Sequence, residues 1–309
     1  MGRYIVNRII GLIITMLVVS LFTFLAMHAA PGGPYDQEKM PLSPEQKLHI
    51  LQRFGLDKPL WQQYALFVWN ASHLDFGYPY WSPSETVIQF IGRTWPYSLQ
   101  LGGLTFIVAV PIGLALGVLA AFRRGSWVDN LVTITIIAGI SIPSFILATM
   151  LILFVAVSLK LLPTGGWAGP RNMILPVFVN SLGVIALIAR YTRTSVLEVL
   201  SADYVRTAYS KGLKTRQVLT RHVLRNALIP VVASIGPIFP GLATGSVFVE
   251  SIFRIPGLGN FFALSITRLD YPLIMGTVLL FTFLVGFFNV LTDIFYTLID
   301  PRVRLKGGR

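Results

Sequence analysis

Cysteine is absent from the sequence, and only 13 of its 309 residues are acids. The first absence excludes a disulfide scaffold and any thiolate-bound metal, although it selects no compartment. With four histidines and so few acids there is little else from which to build a metal centre, and none is expected. Charge of either sign is scarce: Asp, Glu, Lys and Arg make up 12% of the chain, against roughly a quarter in a soluble domain. No lysine follows a glycine, so the Gly-Lys-Ser/Thr phosphate loop is missing, as is any His-Glu-x-x-His pattern. A soluble enzyme is excluded, and the chain is not expected to hydrolyse ATP itself.

What fills the space is apolar. Hydrophobic residues are 54% of the chain, and several runs reach the roughly 20 residues needed to cross a hydrocarbon core of about 30 Å. The first, from about Ile9 to Ala30, follows Arg3 and Arg8 in the manner of a signal peptide. It is longer than the roughly 7–15 residues of a signal h-region, so it is expected as a retained first helix. The others are "LQLGGLTFIVAVPIGLALGVLAAF", "LVTITIIAGISIPSFILATMLILFVAVSL", "MILPVFVNSLGVIALIA", "IPVVASIGPIFPGLATGSVFV" and "PLIMGTVLLFTFLVGFFNVLTDIFYTLI". The reading is an all-α integral membrane protein with six transmembrane helices. Pro111, Pro143, Pro237 and Pro240 interrupt these runs, which membrane helices tolerate when neighbours satisfy the freed carbonyl.

The net charge of +12 would suggest nucleic acid in a soluble protein, but here its distribution decides. Two bases precede the first run, Arg123 and Arg124 lie in "RRGSWVDN", eight bases against two acids lie between Arg190 and Arg225, and four bases follow Asp300. Residues 31–98 carry five bases and six acids. Basic segments thus recur on one side of the membrane, which places both termini in the cytoplasm. Lipid headgroups, not nucleic acid, are the expected diffuse partner. Three regions follow: residues 1–30 as tail and first helix, 31–97 as an external loop, and 98–309 as a five-helix core with a cytoplasmic tail. In the loop, "SPEQKLHILQRFG" has Ser43 as N-cap and Gly55 as stop. Trp61, Tyr64, Trp69, Tyr78, Tyr80, Trp81 and Trp95 form either an interfacial belt or a docking surface.

The densest basic stretch, "DYVRTAYSKGLKTRQVLTRHVLRNALIP" (203–230), separates two apolar runs. Asp203 is expected to cap a short helix ending at Gly212, and a second helical stretch from about Arg216 to Leu228 leads into the membrane at Pro230. A short helix between two spans is a lever on the bundle. With Thr207-Ala208 and Gly212 at the alanine pair and glycine, the stretch resembles the coupling motif of bacterial ABC importer permeases. Arg206 stands where an acid is usual, and Pro230 is the clear proline. "RFGLDKPLWQQYALFV", "HLDFGYPYWSPSETVIQFI", "ESIFRIPGLGNFFALSITRLDYPLIMG" and "FYTLIDPRVR" resemble the B-type permeases of the dipeptide, oligopeptide and nickel branch; "LPTGGWAGPRNMILP" is nearest to the oligopeptide members.

That resemblance implies a type I ABC importer permease in the bacterial cytoplasmic (inner) membrane, forming half of a pathway for peptides, with oligopeptides the leading class. Dipeptide, glutathione or nickel import is the alternative, and an ion-coupled secondary transporter is a further one. It also implies a second related permease, two ATPase subunits or domains holding ATP and Mg2+, and an external peptide-binding protein. On this reading Asp203, Tyr204, Arg206, Thr207, Ala208, Tyr209 and Gly212 couple to the ATPase. Ser141, Pro143, Ser144, Gly236, Gly241, Gly245 and Glu250 either line the pathway and its gate or serve close helix packing. Asp293, seven residues before Asp300, is expected at the interface, paired with Arg302, Arg304 or another subunit.

Overall fold

A computed structural model describes residues 2–30, 57–80, 82 and 84–299. The helix expected at 43–55, Trp81 and the tail from Asp300 lie outside them. All regular structure among the described residues is helical. Four helices among these residues are long and apolar enough to cross a membrane: α1 (Gly2–Ala29), α3 (Val87–Phe122), α6 (Pro170–Leu200) and α13 (Tyr271–Ile299). Between α1 and α3 lies α2 (Leu60–Ser72). With 36 residues, α3 rises about 54 Å and runs through both Pro96 and Pro111.

Two of the six expected runs are not single helices. The third breaks at Ile142-Pro143 into α4 (Trp127–Ser141) and α5 (Ser144–Leu151), and the pair bends by 102°. Ile142 adopts φ −82°, ψ 117°, the extended geometry favoured by a residue before proline. A wide π-helical turn, Ile152–Ser158, continues α5. The fifth run is a chain of short pieces. After α7 (Asp203–Ser210) and α8 (Thr215–Gln217), a second π turn, Val218–Val223, enters α9 (Leu224–Ile235). Next come α10 (Ile238–Ala243) and α11 (Val247–Ile252), punctuated at Gly236-Pro237 and Gly245. Then α12 (Leu258–Arg268) precedes α13. The fifth span is therefore a composite element, because glycine and proline in close succession deny it a continuous ladder.

The chain divides into two units. The first comprises residues 1–96 and 257–287, the second 97–256 and 288–309. In the first, Asp270 is buried and its carboxylate does two jobs. Oδ1 accepts from Leu273 N at 3.2 Å, capping α13, while Oδ2 accepts from Tyr80 N at 2.8 Å. Nearby aromatics divide: Tyr64 packs on Phe24 and donates to Leu17 O at 3.0 Å, whereas Trp61 and Trp69 face outward.

In the second unit α6 packs against α4 and α9, and it meets α3 through glycine. A Cβ on Gly117 would lie 2.5 Å from Thr192 Cβ and 2.6 Å from Ala189 O; one on Gly113 would lie 2.8 Å from Ile188 Cβ. Gly117→Val should therefore cost on the order of 1–3 kcal/mol through overpacking and lower the thermal midpoint of the detergent-solubilised protein. Gly183→Ala, whose Cβ would meet only Gly139 O at 3.8 Å, should leave that midpoint within a degree or two of the unaltered protein.

Candidate functional site

The basic stretch begins with an amphipathic helix. In α7, Val205 and Ala208 are spaced to share one face and are buried; Tyr204, Arg206, Thr207, Tyr209 and Ser210 are exposed. Residue 202, not 203, caps it: Ala202 is extended and makes no side-chain cap bond. Asp203 is instead the first helical residue, almost fully exposed, with Arg206 at 3.8 Å. Its charge still complements the positive end of the helix dipole. The helix closes at Ser210, two residues before the expected Gly212. Gly212 then adopts φ +77°, a left-handed geometry that glycine enters without the Cβ penalty. Leu213 N donates back to Ala208 O at 3.4 Å and Gly212 N to Tyr209 O at 2.9 Å, so the end is a Schellman-like turn.

Beneath α7 lies an aliphatic cluster. Val205 and Ala208 pack with Ala121 of α3, Val196 of α6, Val218 and Val223 of the π turn, and Ala227 of α9. Specific bonds reinforce it. Ser195 Oγ donates to Ala227 O at 2.8 Å, and Asn226 Nδ2 donates to the Tyr204 hydroxyl at 3.1 Å. Thus α7 is seated on the ends of three helices, while Arg206, Lys211, Lys214, Arg216, Arg221 and Arg225 remain exposed around it.

An ion pair that the sequence pattern did not reveal ties α4 to α6 in the same unit. Arg193 grips Asp129 through two bonds, Nε to Oδ1 at 2.8 Å and Nη2 to Oδ2 at 2.9 Å. Asp129 Oδ2 also accepts from Gly125 N at 3.0 Å, and Ser126 Oγ accepts from Asp129 N at 3.4 Å to cap α4. The only local hint was a lone acid beside Arg123 and Arg124.

The pathway candidates separate into groups. Ser141, Pro143 and Ser144 gather at the break between α4 and α5. There a groove of about 200 Å³ is lined in part by Thr135, Gly139, Ser144, Asn180 and Gly183. Gly245, at φ +93°, and Glu250 come together with Ser98, which sequence reasoning missed. The buried Glu250 carboxylate accepts from Ser98 Oγ at 2.8 Å and from Ser246 N at 3.2 Å. Glu250 is thus an internal bond, and Gly245 is glycine because a Cβ would lie 2.5 Å from that carboxylate. Gly236 is a packing position: its Cβ would meet the Thr292 side chain at 2.5 Å, whereas Gly241 opens to free space. The Asp293 side chain and its expected partners lie outside the described residues. A separate cavity of about 450 Å³, within the first unit, is lined partly by Phe24, His28, Phe67, Tyr80 and Tyr271.

Removing one member of a buried bidentate pair strands the other charge. Asp129→Ala should cost about 3 kcal/mol, the lower end of the range because Arg193 is 30% exposed. Arg193→Ala should cost a similar amount, and the double variant less than the sum of the two. A double-mutant cycle of detergent unfolding midpoints measures this.

Residues 113–305 match the family described as binding-protein-dependent transport system inner membrane component, and residues 1–101 match the N-terminal region of such membrane components. The chain is 41% identical over 305 residues to the dipeptide transport system permease protein of Bacillus subtilis, covering 99% of each chain. It is 37% identical over 306 residues to the oligopeptide transport system permease protein of Haemophilus influenzae, covering 98% of this chain and 100% of that one. In fold it is similar to a chain of an inward-facing methionine ABC transporter (TM-score 0.55, 20% identity, 70% of this chain and 99% of that one). An amino acid ABC transporter chain gives a TM-score of 0.52 at 16% identity, over 68% and 94% of the two chains.

Proposed function

Because the chain belongs to the family of binding-protein-dependent transport system inner membrane components, we propose that it is the permease subunit forming half of the pathway of an ATP-driven peptide importer. The observation that carries this reading is the end-to-end match to dipeptide and oligopeptide permeases. The exposed helix seated on the ends of the membrane helices supports it. Oligopeptides are the substrate class retained, with dipeptides as the alternative. Family membership favours ATP-driven import over the ion-coupled reading. Two ATPase subunits or domains would hold ATP and Mg2+, a second related permease would complete the passage, and an external binding protein would deliver peptide. Both termini would lie in the cytoplasm. The segment at 31–97 would be the external loop, and residues 98–309 the core that moves.

In this mechanism Tyr204, Arg206, Thr207 and Tyr209 present the docking surface to an ATPase groove. Asp203 and Gly212 define the two ends of the lever. Ala208 acts from below, where it is buried: it transmits force and does not touch the partner. Displacement of α7 reaches α3, α6 and α9 through the aliphatic cluster, biasing an inward-facing and outward-facing pair of states. Composite elements, the α4–α5 break and the run from α9 to α11, would supply the surface that rearranges.

Crosslinking tests the docking surface. A cysteine at Tyr209 should join to the ATPase in the assembled transporter, whereas one at Ala208 should not. Absence of any Tyr209→Cys crosslink, with ATP-driven uptake intact, would count against the lever. A β-branched residue at Gly212 would be strained by about 1–2 kcal/mol in the left-handed region. Gly212→Val should therefore reduce peptide uptake per ATP hydrolysed, and an unchanged ratio would oppose coupling through this turn. Uptake of dialanine against tetraalanine decides the peptide length.

A further inference from the structure

We infer that the groove at the α4–α5 break is a contact site for the main-chain amides of a peptide in transit; this rests on the importer reading above. Place comes first. Helix α4 has 15 residues and rises about 22 Å, short of a hydrocarbon core of about 30 Å. A span that starts at Trp127 therefore breaks within the hydrocarbon depth. Irregular backbone at that depth is tolerated only against protein or beside a water-filled cavity.

The surface around the break agrees. Thr135, Ser141 and Pro143 are exposed, and Ser144 and Asn180 are half-buried. The exposed positions flanking them are lipid-compatible: Ile134, Ile137, Phe145, Ile146 and Met150. Thr135 satisfies its hydroxyl on Leu131 O at 2.9 Å, so the polar groups that matter are those of Ser141, Ser144 and Asn180, which face water or another polar surface because polar groups turned toward lipid are costly.

The chemistry of the groove matches a peptide bond. The helical donor for the Gly139 carbonyl would be residue 143, which is proline and has no N–H. That oxygen lies 3.8 Å from where a Cβ on Gly183 would sit. Asn180 donates one N–H to Thr105 Oγ1 at 3.2 Å, which leaves its second N–H and its Oδ1 for a visitor. The Ser144 hydroxyl can donate or accept. Every peptide bond other than one to proline carries one donor and one acceptor, whatever its side chains, so such a site is blind to sequence. Its volume of about 200 Å³ lies below the roughly 300–1,000 Å³ of pockets that enclose a drug-sized ligand. It suits a brief contact, strong enough to admit and weak enough to release.

The experiment uses the complete transporter in liposomes, with dialanine or tetraalanine, whichever the unaltered complex imports. Thr135→Cys creates the only thiol in this chain. A charged, membrane-impermeant thiol reagent should label it, and transported peptide should slow the labelling. Labelling by lipid-soluble reagents alone overturns the site. Gly183→Leu fills the groove and Asn180→Leu removes the amide. Each should lower ATP-driven uptake about tenfold with the complex still assembled. Uptake within about twofold of the unaltered complex in both variants overturns the proposal.

An analogue with one amide replaced by an ester separates recognition from simple obstruction. At equal loading of the binding protein it should be imported more slowly than the amide, and Asn180→Leu should erase that difference. A difference that persists in Asn180→Leu overturns the assignment of Asn180. If Gly183→Leu does not assemble, the thiol-labelling and ester arms still decide. Failure of the unaltered complex to import any peptide would instead defeat the importer reading, and that outcome is separable from the others.

Discussion

In lipid there is no water to drive helices together, so association depends on how closely their backbones can approach. Here three such approaches converge on α6. Gly113 and Gly117 bring α3 against Ile188, Ala189 and Thr192, and Gly139 brings α4 to within 3.1 Å, from a notional Cβ, of both Leu182 O and Ala186 Cβ. With α9 packed on another side, α6 is the hub of its unit. The bonds from Arg193 to Asp129 and from Ser195 to Ala227 hold the same helix near its far end. Directly after it comes α7. Val196 of α6 packs in the same aliphatic cluster as Val205 and Ala208 of α7, so the two helices share one seat.

The buried carboxylates among the described residues are spent on joints. Asp270 holds both a helix start and a distant backbone N–H; Glu250 joins Ser98 to the turn at Gly245-Ser246; Asp129 holds Arg193 and Gly125. Each is buried and each has partners, as the cost of an isolated buried carboxylate requires. The groove at the α4–α5 break is lined by no carboxylate: Thr135 donates to Leu131 O in its own helix, and Asn180 donates to Thr105 Oγ1 of α3.

Much of this architecture was legible because apolar runs and basic segments are local signals. The four long apolar helices, the short helix at Asp203–Ser210 and the helical run through Pro230 could all be read from neighbouring residues, whereas the breaks in the third and fifth runs could not. Joints between distant residues could not. Asp129 and Arg193 lie 64 residues apart, Ser98 and Glu250 152, and Tyr80 and Asp270 190, and no periodicity records such pairs. Proline was equally ambiguous: Pro111 sits inside α3, whereas Pro143 breaks a run. The difference lies in Ile142, which turns extended. The cap of α7 was misplaced by one residue because Asp203 has the right chemistry for either position, and backbone geometry chose Ala202.

The π turn at Val218–Val223 carries a consequence for phase. A π-helical turn takes in more residues than the 3.6 of an α-helix, and each residue of an α-helix advances the azimuth by about 100°. The stripe of side chains leaving α8 is therefore not the stripe that arrives on α9, although the chain never stops being helical. Faces drawn by uninterrupted α-periodicity from Thr215 onward would be rotated away from their true neighbours. The same applies beyond Ile152–Ser158. Excising a single residue from either turn could restore a regular ladder while rotating everything downstream, so the chain's length at these two places sets its orientation as firmly as its composition does.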